Sequence, residues 1–480
     1  MPTFDTEVPV LLLRLDPNQF HHGTLGAVRS LGRTGIKVHV ALESAQGPLG
    51  RCRFLHRVHA LPPGGTSEAE LESALFRISE SIGRPAVLIA LDDRSALAVA
   101  ALSPRLTGRY LLPGISPGLP ARVADKAELS LLCRETGIAH PTTVAPRSAG
   151  EAAGQAVALG LPAVAKWSRP WLLPEGMRST TLVRTPEDAF ELFGRSAQAG
   201  SQLLLQRRIP GGHGTDWFFH GYAAERGRFL TGGAGRKEMS WPPRTGMTAV
   251  GTWLANREVE EAAARLAAEV DYRGILDLDF RLDPVTGTYH LLDFNPRPGA
   301  QFRLFTDDTG LDVVRAQHLH LTGRAVPAQR GGPGRVFVAE NYALLSALVT
   351  TASLGLRTGD RDRGSCRAPA RPPGCEHSRE HGREHGCEHG RGGAREHRVR
   401  GRRGRVEGAW FSFDDPRPFF AMAAAWFVHC MSKVWRSVRK RLPGLPACAA
   451  AALPPAPHFR TPRDERSVND QREGNACTTS

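Results

Sequence analysis

Several patterns that would fix a function class at once are missing from this chain. Its eight cysteines, at 52, 133, 366, 375, 387, 430, 448 and 477, are scattered and form no paired framework. No signal-peptide pattern opens the sequence, so a reducing cytoplasm is the expected compartment, with a membrane-peripheral place as the variant. An apolar stretch within 407–442 is broken by Pro418 and His429, short of the ~20 apolar residues of a membrane span. The run His22–Gly26 (HGTLG) reads as a turn opening a helix. It is not a full dinucleotide fingerprint, so NAD binding is not read from it. No Ser/His/Asp or Cys/His constellation stands out, so no nucleophilic side chain is expected.

What is present suits a soluble globular protein. The 480 residues, 41% of them hydrophobic, allow two or three domains with a sizeable core. The net charge of +14 is uneven. Residues 351–480 hold 24 Lys+Arg against 14 Asp+Glu, or +10, which leaves +4 for the first 350. The basic character belongs to the tail, and no specific nucleic-acid partner is implied for the body.

The chain opens with a βαβ rhythm. Residues 8–15 and 36–42 read as strands around a helix at 25–35, whose apolar positions are Leu25, Val28 and Leu31. A helix at 68–82, a strand at 86–91 and a helix at 92–102 follow, and a parallel sheet is implied. Asn18, His21, His22 and Asp92 fall at strand ends, where open sheets hold ligands. They serve either ligand contact or turn capping.

The richest stretch is 274–304, GILDLDFRLDPVTGTYHLLDFNPRPGAQFRL. DLDFRL alternates apolar and polar residues and ends at Asp283-Pro284. A turn passes through Thr286-Gly287, and TYHLLDF returns to Asn295-Pro296. Asp293 and Asn295 are two apart and share a sheet face, and Asp279 can sit beside them on the neighbouring strand. Two carboxylates and an amide oxygen suit Mg²⁺, with Mn²⁺ as the alternative. An ordinary hairpin facing water is the bland reading.

The set Asp279, Asp293-Phe294-Asn295 and Pro296-Arg297 resembles the metal motif of the ATP-grasp superfamily. The resemblance extends over 120–325. Its nearest branch looks like the carboxylate–amine ligases and predicted carboligases of the D-aspartate ligase type. It implies an α/β (α+β) fold in which a Rossmann-like N-terminal domain precedes a two-subdomain ATP-grasp domain, followed by a partly disordered basic extension.

It also implies roles for other residues. Asp125-Lys126 opens the helix DKAELSLLCRETG, with Asp125 as N-cap and Glu128 at capping-box spacing. Lys126 would then reach the nucleotide phosphates. Lys166, at the end of an apolar strand, is costly without an anionic partner, and the resemblance gives it the ATP phosphates. The loop 168–181 would cover them, with Ser179 and Thr180 as contacts beside Arg178. Gln206, Arg207 and Ile209 would hold adenine at the hinge, and Asp216 the ribose. Lys237, with Arg236, would meet phosphate or acyl phosphate. Arg297, flanked by Arg303, would hold the carboxylate or stabilise the acyl phosphate. ATP and Mg²⁺ are the implied cofactors. Small-molecule carboxylate and amine are the implied substrates, joined as an amide with release of ADP. An ATP-dependent carboxylase, a peptide- or protein-modifying ligase and a catalytically silent ATP-binding protein are the alternatives.

The expected domains are 1–118 (Rossmann-like), 119–325 (ATP-grasp), 326–358 (rest of the body), 359–406 (low-complexity linker), 407–442 (basic amphipathic segment) and 443–480 (disordered tail). Helices are expected over 257–270 and 312–321. The linker repeats EHSR, EHGR, EHGC and EHGR over 376–391. Its histidines lack metal-site spacing, and mixed-charge repeats of this kind are normally solvated. Residues 395–442 offer weak contact to a membrane surface or polyanion; packing of 407–442 on the body is the preferred alternative. The oligomeric state is left open.

Overall fold

The computed structural model describes residues 2–43, 47–62, 67–225, 227–242, 246–347 and 405–441. Residues 348–404, which take in the end of 326–358 and all of the linker, histidine repeat included, but its last two residues, and the tail from 442 lie outside the described residues. The chain divides into a body, Met1–Ala425, and a second unit that begins at Trp426.

The first sheet is all parallel, in the order β3-β2-β1-β4-β5. Its strands are β1 (Val10–Leu13), β2 (Val38–Leu42), β3 (Leu55–Ala60), β4 (Ala86–Ala90) and β5 (Tyr110–Leu111). The central strands read as unbroken apolar runs because helices cover both faces. Helix α1 spans His22–Gly32, three residues earlier than expected. The run 22–26 is its first turn rather than a preceding loop. His21 caps it through Nδ1, which accepts the Thr24 N–H at 3.1 Å. Helix α2 (Glu68–Ile82) begins at a reciprocal Ser67/Glu70 capping box and ends at Gly83, φ 75°, a left-handed cap that favours glycine. Helix α3 runs from Asp93 to Leu106, past the expected end at 102.

Short α4 (Leu119–Ala124) and α5 (Lys126–Thr136) lead into an antiparallel sheet of order β6-β9-β7-β8. It holds β6 (Thr143–Val144), β7 (Ala163–Trp167), β8 (Thr180–Val183) and β9 (Leu203–Gln206). Helices α6 (Ala149–Leu159), α7 (Pro186–Gly194) and α8 (Ser196–Ala199) belong with it. Asp125 is the N-cap of α5, accepting from the amides of Ala127 and Glu128.

The third sheet has seven strands in the order β14-β13-β10-β11-β12-β15-β16. They are β10 (Asp216–Glu225), β11 (Arg228–Trp241), β12 (Met247–Trp253), β13 (Gly274–Leu282), β14 (Tyr289–Asn295), β15 (Val336–Val338) and β16 (Val406–Gly408). Helix α9 (Arg257–Glu269) sets Val259, Ala263 and Leu266 into one apolar core with Leu276, Leu278 and Phe280 of β13. Helix α10 (Val313–Leu321) follows the hairpin.

The linker expected to end at 406 gives way to structure earlier: Val406 already pairs with Val336 as β16 joins β15 in parallel. The chain then anchors on α1. Trp410 is 1% exposed, and Arg29, fully buried, donates to Trp410 O (2.8 Å), Asp415 O (2.6 Å) and Asp415 Oδ2 (2.9 Å). Helix α11 (Arg417–Arg441) begins in the body, where Met422 is buried; its residues from Trp426 belong to the second unit. Among the described residues no helix is long and apolar enough to cross a membrane.

Candidate functional site

The hairpin β13–β14 sets the site. Its register places Asp279 directly opposite Asp293, and Asp277 opposite Asn295. Alternation along each strand then puts all four side chains on one face. Asp279 and Asp293 are each about 30% exposed, at 29% and 30%. Each carboxylate is met by a lysine from a distant element. Lys237 of β11 donates to Asp279 Oδ1 at 2.7 Å, and Lys126 of α5 donates to both oxygens of Asp293 at 2.6 and 2.7 Å.

Lys126 is aimed by its neighbour. The N-cap carboxylate of Asp125 also accepts from Ser168 Oγ (2.5 Å) and Arg169 Nε (2.8 Å), which ties the loop after β7 to the start of α5. Lys166, on β7, reaches across to the hairpin and donates to Leu292 O at 3.0 Å. Burial pushes its ammonium down to about 8. The Lys126 charge adds to that, and Asp293 opposes it. Asp293 shows the opposite balance. Burial would raise its carboxyl, but the charges of Lys126 and Lys166 hold it below the ordinary range. Lys237 is likewise raised, because Asp279 outweighs the burial that would lower it.

These groups line one cleft of ≈ 210 Å³ between the four-stranded and seven-stranded sheets. Of the residues expected at the nucleotide, Lys166, Thr180, Gln206, Arg207, Ile209, Asp216, Lys237, Asp279 and Asp293 all line it. Lys126 joins through its ion pair. Ser179 is not among the lining residues; its carbonyl accepts the Trp167 N–H at 3.2 Å. Gln206 spends its side-chain amide on Thr143 Oγ1 (2.9 Å), Asp216 accepts Arg281 Nε (2.6 Å), and Arg236 pairs with Glu238.

Asn295 and Arg297 sit further along the hairpin. Arg297 donates to Asp93 Oδ1 (3.0 Å), Asp277 Oδ2 (3.2 Å) and Asn295 Oδ1 (3.2 Å), so it joins the hairpin to the start of α3. Burial alone would lower the Arg297 guanidinium, but Asp93 and Asp277 raise it above the ordinary arginine value. Behind it, buried His220 brings Nε2 to 2.7 Å from Asp277 Oδ1. Arg303 is tied to Glu407 of β16 and is pushed down to about 10 by burial, which gives it a structural partner away from the cleft.

Asp277, His220, Asp93 and Arg281 were not singled out in the sequence. Asp277 was accessible, since DLD at 277–279 repeats the two-residue spacing of Asp293 and Asn295. His220 and Arg281 carry no such local sign. Asn18, His21 and Asp92 serve as caps: Asn18 Oδ1 accepts the Phe20 N–H, His21 caps α1, and Asp92 caps α3 while accepting from Leu15 N. His22 is buried against the rings of Phe337, Tyr342 and Trp410.

The donor set fits a hard divalent cation. Among the described residues no three His, Cys, Asp or Glu side chains converge as a cage. A cation here would draw on Asp279, Asp293 and the Asn295 oxygen, and would take its remaining oxygens from phosphate or water, as Mg²⁺ commonly does.

No family model matches the chain. It is 23% identical over 319 residues to D-aspartate ligase of Enterococcus faecium, covering 64% of this chain and 74% of that one. Its fold matches biotin carboxylase of Campylobacter jejuni, solved with β,γ-ATP, at a TM-score of 0.53 and 14% identity over 69% of this chain and 75% of that one. It also matches L-amino acid ligase of Bacillus licheniformis at 0.50 and 16% over 68% and 79%. The chain has the ATP-grasp fold and is related to the ATP-grasp ligases.

Proposed function

We propose that the protein is an ATP-dependent ligase that activates a small carboxylate as an acyl phosphate and joins it to an amine. The observation that carries this reading is the cleft in which two facing carboxylates, Asp279 and Asp293, pair with Lys237 and Lys126, while Lys166 bonds to Leu292 O beside them. Transfer of a γ-phosphoryl group needs positioning and neutralised charge more than it needs a nucleophilic side chain. The similarity to D-aspartate ligase supports a carboxylate–amine reaction in particular.

The residues divide the work along the hairpin. Lys166 and Lys126 neutralise the nucleotide phosphates at the end of the four-stranded sheet. Lys237 does so from β11. Asp279, Asp293 and Asn295 would hold Mg²⁺, which when bound would supply positive charge to offset that of the phosphate oxygens. Ile209 and the backbone after β9 receive the adenine. Arg297, charged and held by Asp93 and Asp277, orients the substrate carboxylate. One of its oxygens bonds to the γ-phosphorus, and ADP leaves. The amine nitrogen then bonds to the carbonyl carbon, phosphate leaves with the C–O electron pair, and the amine loses a proton.

The test is ADP release by the full chain with Mg²⁺ and ATP, against a panel of small acids and amines. ADP that forms only with a particular acid–amine pair, and falls at least about a hundredfold in Asp293→Ala, is the expected result. ADP formed with bicarbonate in place of an organic acid would point to a carboxylase. ATP binding with no turnover across the panel would favour a silent binding protein.

A further inference from the structure

A second cavity, of ≈ 550 Å³, lies where the first sheet meets the hairpin, and its size is usual for a small-molecule site. Its walls come from the end of β4, the α3 side chains Ala96 and Ala100, the segment between β5 and α4, and the start of β13. Helix α10 adds Gln317 and Leu321. These walls are mostly apolar. Arg297 and Arg273 are the charged side chains among them, and no aspartate or glutamate lines the cavity. Arg273 already donates to Asp271 Oδ2 at 3.1 Å.

Arg297 stands at one end. It bonds to Asp93, one turn before Ala96, and the lining residues of α3 continue from Ala96 to Pro104. At 1.5 Å per residue the helix carries this wall about 12 Å from the arginine. On its other side Arg297 meets the hairpin acids: Asp277 and Asn295 accept from it, and Asp279 and Asp293 lie two residues further from the cavity on each strand. Of its five N–H donors, four are spent on Asp93 Oδ1, Asp277 Oδ2, Pro298 O and Asn295 Oδ1, so one Nη2 hydrogen is left. Gln317 is 3% exposed, and its side-chain amide makes no hydrogen bond among the described residues. Polar groups this buried are normally bonded, so an occupant of the cavity supplies the partner.

We propose that this cavity holds the body of the acid that is activated, and that the acid is an apolar monocarboxylate carrying one neutral hydrogen-bonding group. Its carboxylate stays at Arg297, its body runs along α3, and a hydroxyl or amide on that body pairs with Gln317. The inference rests on the ligase function proposed above and gives that site its substrate class. The amine does not suit this cavity, because an ammonium buried there would meet two arginines and no carboxylate.

The full chain is titrated calorimetrically with butyrate, hexanoate and octanoate. Hydroxyoctanoate and hexanoylglycine serve as chains that bear a hydroxyl or an amide, and D-aspartate as a short polar acid. Thermal melting with Mg·ATP reads the nucleotide cleft independently. Each methylene from butyrate to octanoate should tighten binding about threefold to fourfold, or about a hundredfold in all. D-aspartate should bind more weakly than octanoate. Ala100→Leu, which fills the cavity part-way along α3, should weaken octanoate about tenfold and leave butyrate nearly unchanged. Gln317→Leu should weaken at least one of the two polar-bearing chains about tenfold relative to octanoate. Mg·ATP should stabilise wild type and both variants. Affinity that does not rise with chain length, D-aspartate binding more tightly than octanoate, or octanoate binding unchanged in Ala100→Leu would overturn the proposal. So would polar-bearing chains that simply follow octanoate in Gln317→Leu. If Ala100→Leu fails to fold, the length series and Gln317→Leu decide it. No acid bound by a wild type that Mg·ATP stabilises would overturn the proposal and leave the ligase reading standing. Acids bound with the stated length dependence by a protein that ignores Mg·ATP would uphold the cavity as an acid site and overturn the ligase reading.

Discussion

Replacing Asp415 with alanine tests whether the segment after the linker is part of the catalytic body. Arg29 and Asp415 are 0% and 1% exposed, with Nε 2.9 Å from Oδ2. Asp415 Oδ1 also accepts the Arg53 N–H at 3.1 Å. Asp415→Ala removes the carboxylate and leaves the guanidinium buried with only two carbonyl acceptors, Trp410 O and Asp415 O. Breaking a buried pair from one side costs about 3–5 kcal/mol. Roughly 350 ordered residues of the body, at about 2.1 cal/mol/K each, give about 0.75 kcal/mol/K at the midpoint. The melting temperature should fall by about 4–7 °C if the body melts as one unit. Arg29→Met/Asp415→Leu should regain most of that loss, since apolar replacement of a whole buried pair is often neutral. Scanning calorimetry of the three proteins decides it. A single mutant within 1 °C of wild type would refute the reasoning. A double mutant as unstable as the single would mean that shape, not unpaired charge, sets the cost.

Two further outcomes follow from the site. Gly299→Ala would put a Cβ 2.3 Å from His220 Cε1 and 2.6 Å from Asp277 Oδ2, so it should cost about 1–3 kcal/mol and lower ADP release with it; melting and turnover are measured together. Lys166 carries a folded-state value of about 8 against ~10.5 for an unfolded lysine. The folded protein therefore binds fewer protons between those values, and stability rises with pH across that window. Lys166→Met should melt above wild type at pH 7, with the gain shrinking toward pH ~10.5, and should lose the stabilisation by Mg·ATP. Equal melting at both pH values would contradict the buried, charge-crowded state of Lys166.

Much of the fold is written in short-range signals. The capping box at Ser67 and Glu70 with Gly83 places α2 at its observed ends. The alternation in DLDFRL and the Asp283-Pro284 break place the hairpin, and the Asp125 cap places α5. These signals act through hydrogen bonds and side-chain directions a few residues apart, so the sequence carries them entire. The acids of the hairpin were legible for the same reason. Tertiary structure decided what each charge meets. Lys126 finds Asp293 across 167 residues, and Arg29 finds Asp415 across 386. Among the described residues Arg14 Nε finds no hydrogen-bond partner, although Asp16 stands two residues away and is held by its own turn. Whether a buried charge is satisfied depends on which distant strand or helix end packs over it. No spacing along the chain encodes that, because the neighbours are brought together only when the three sheets close on one another.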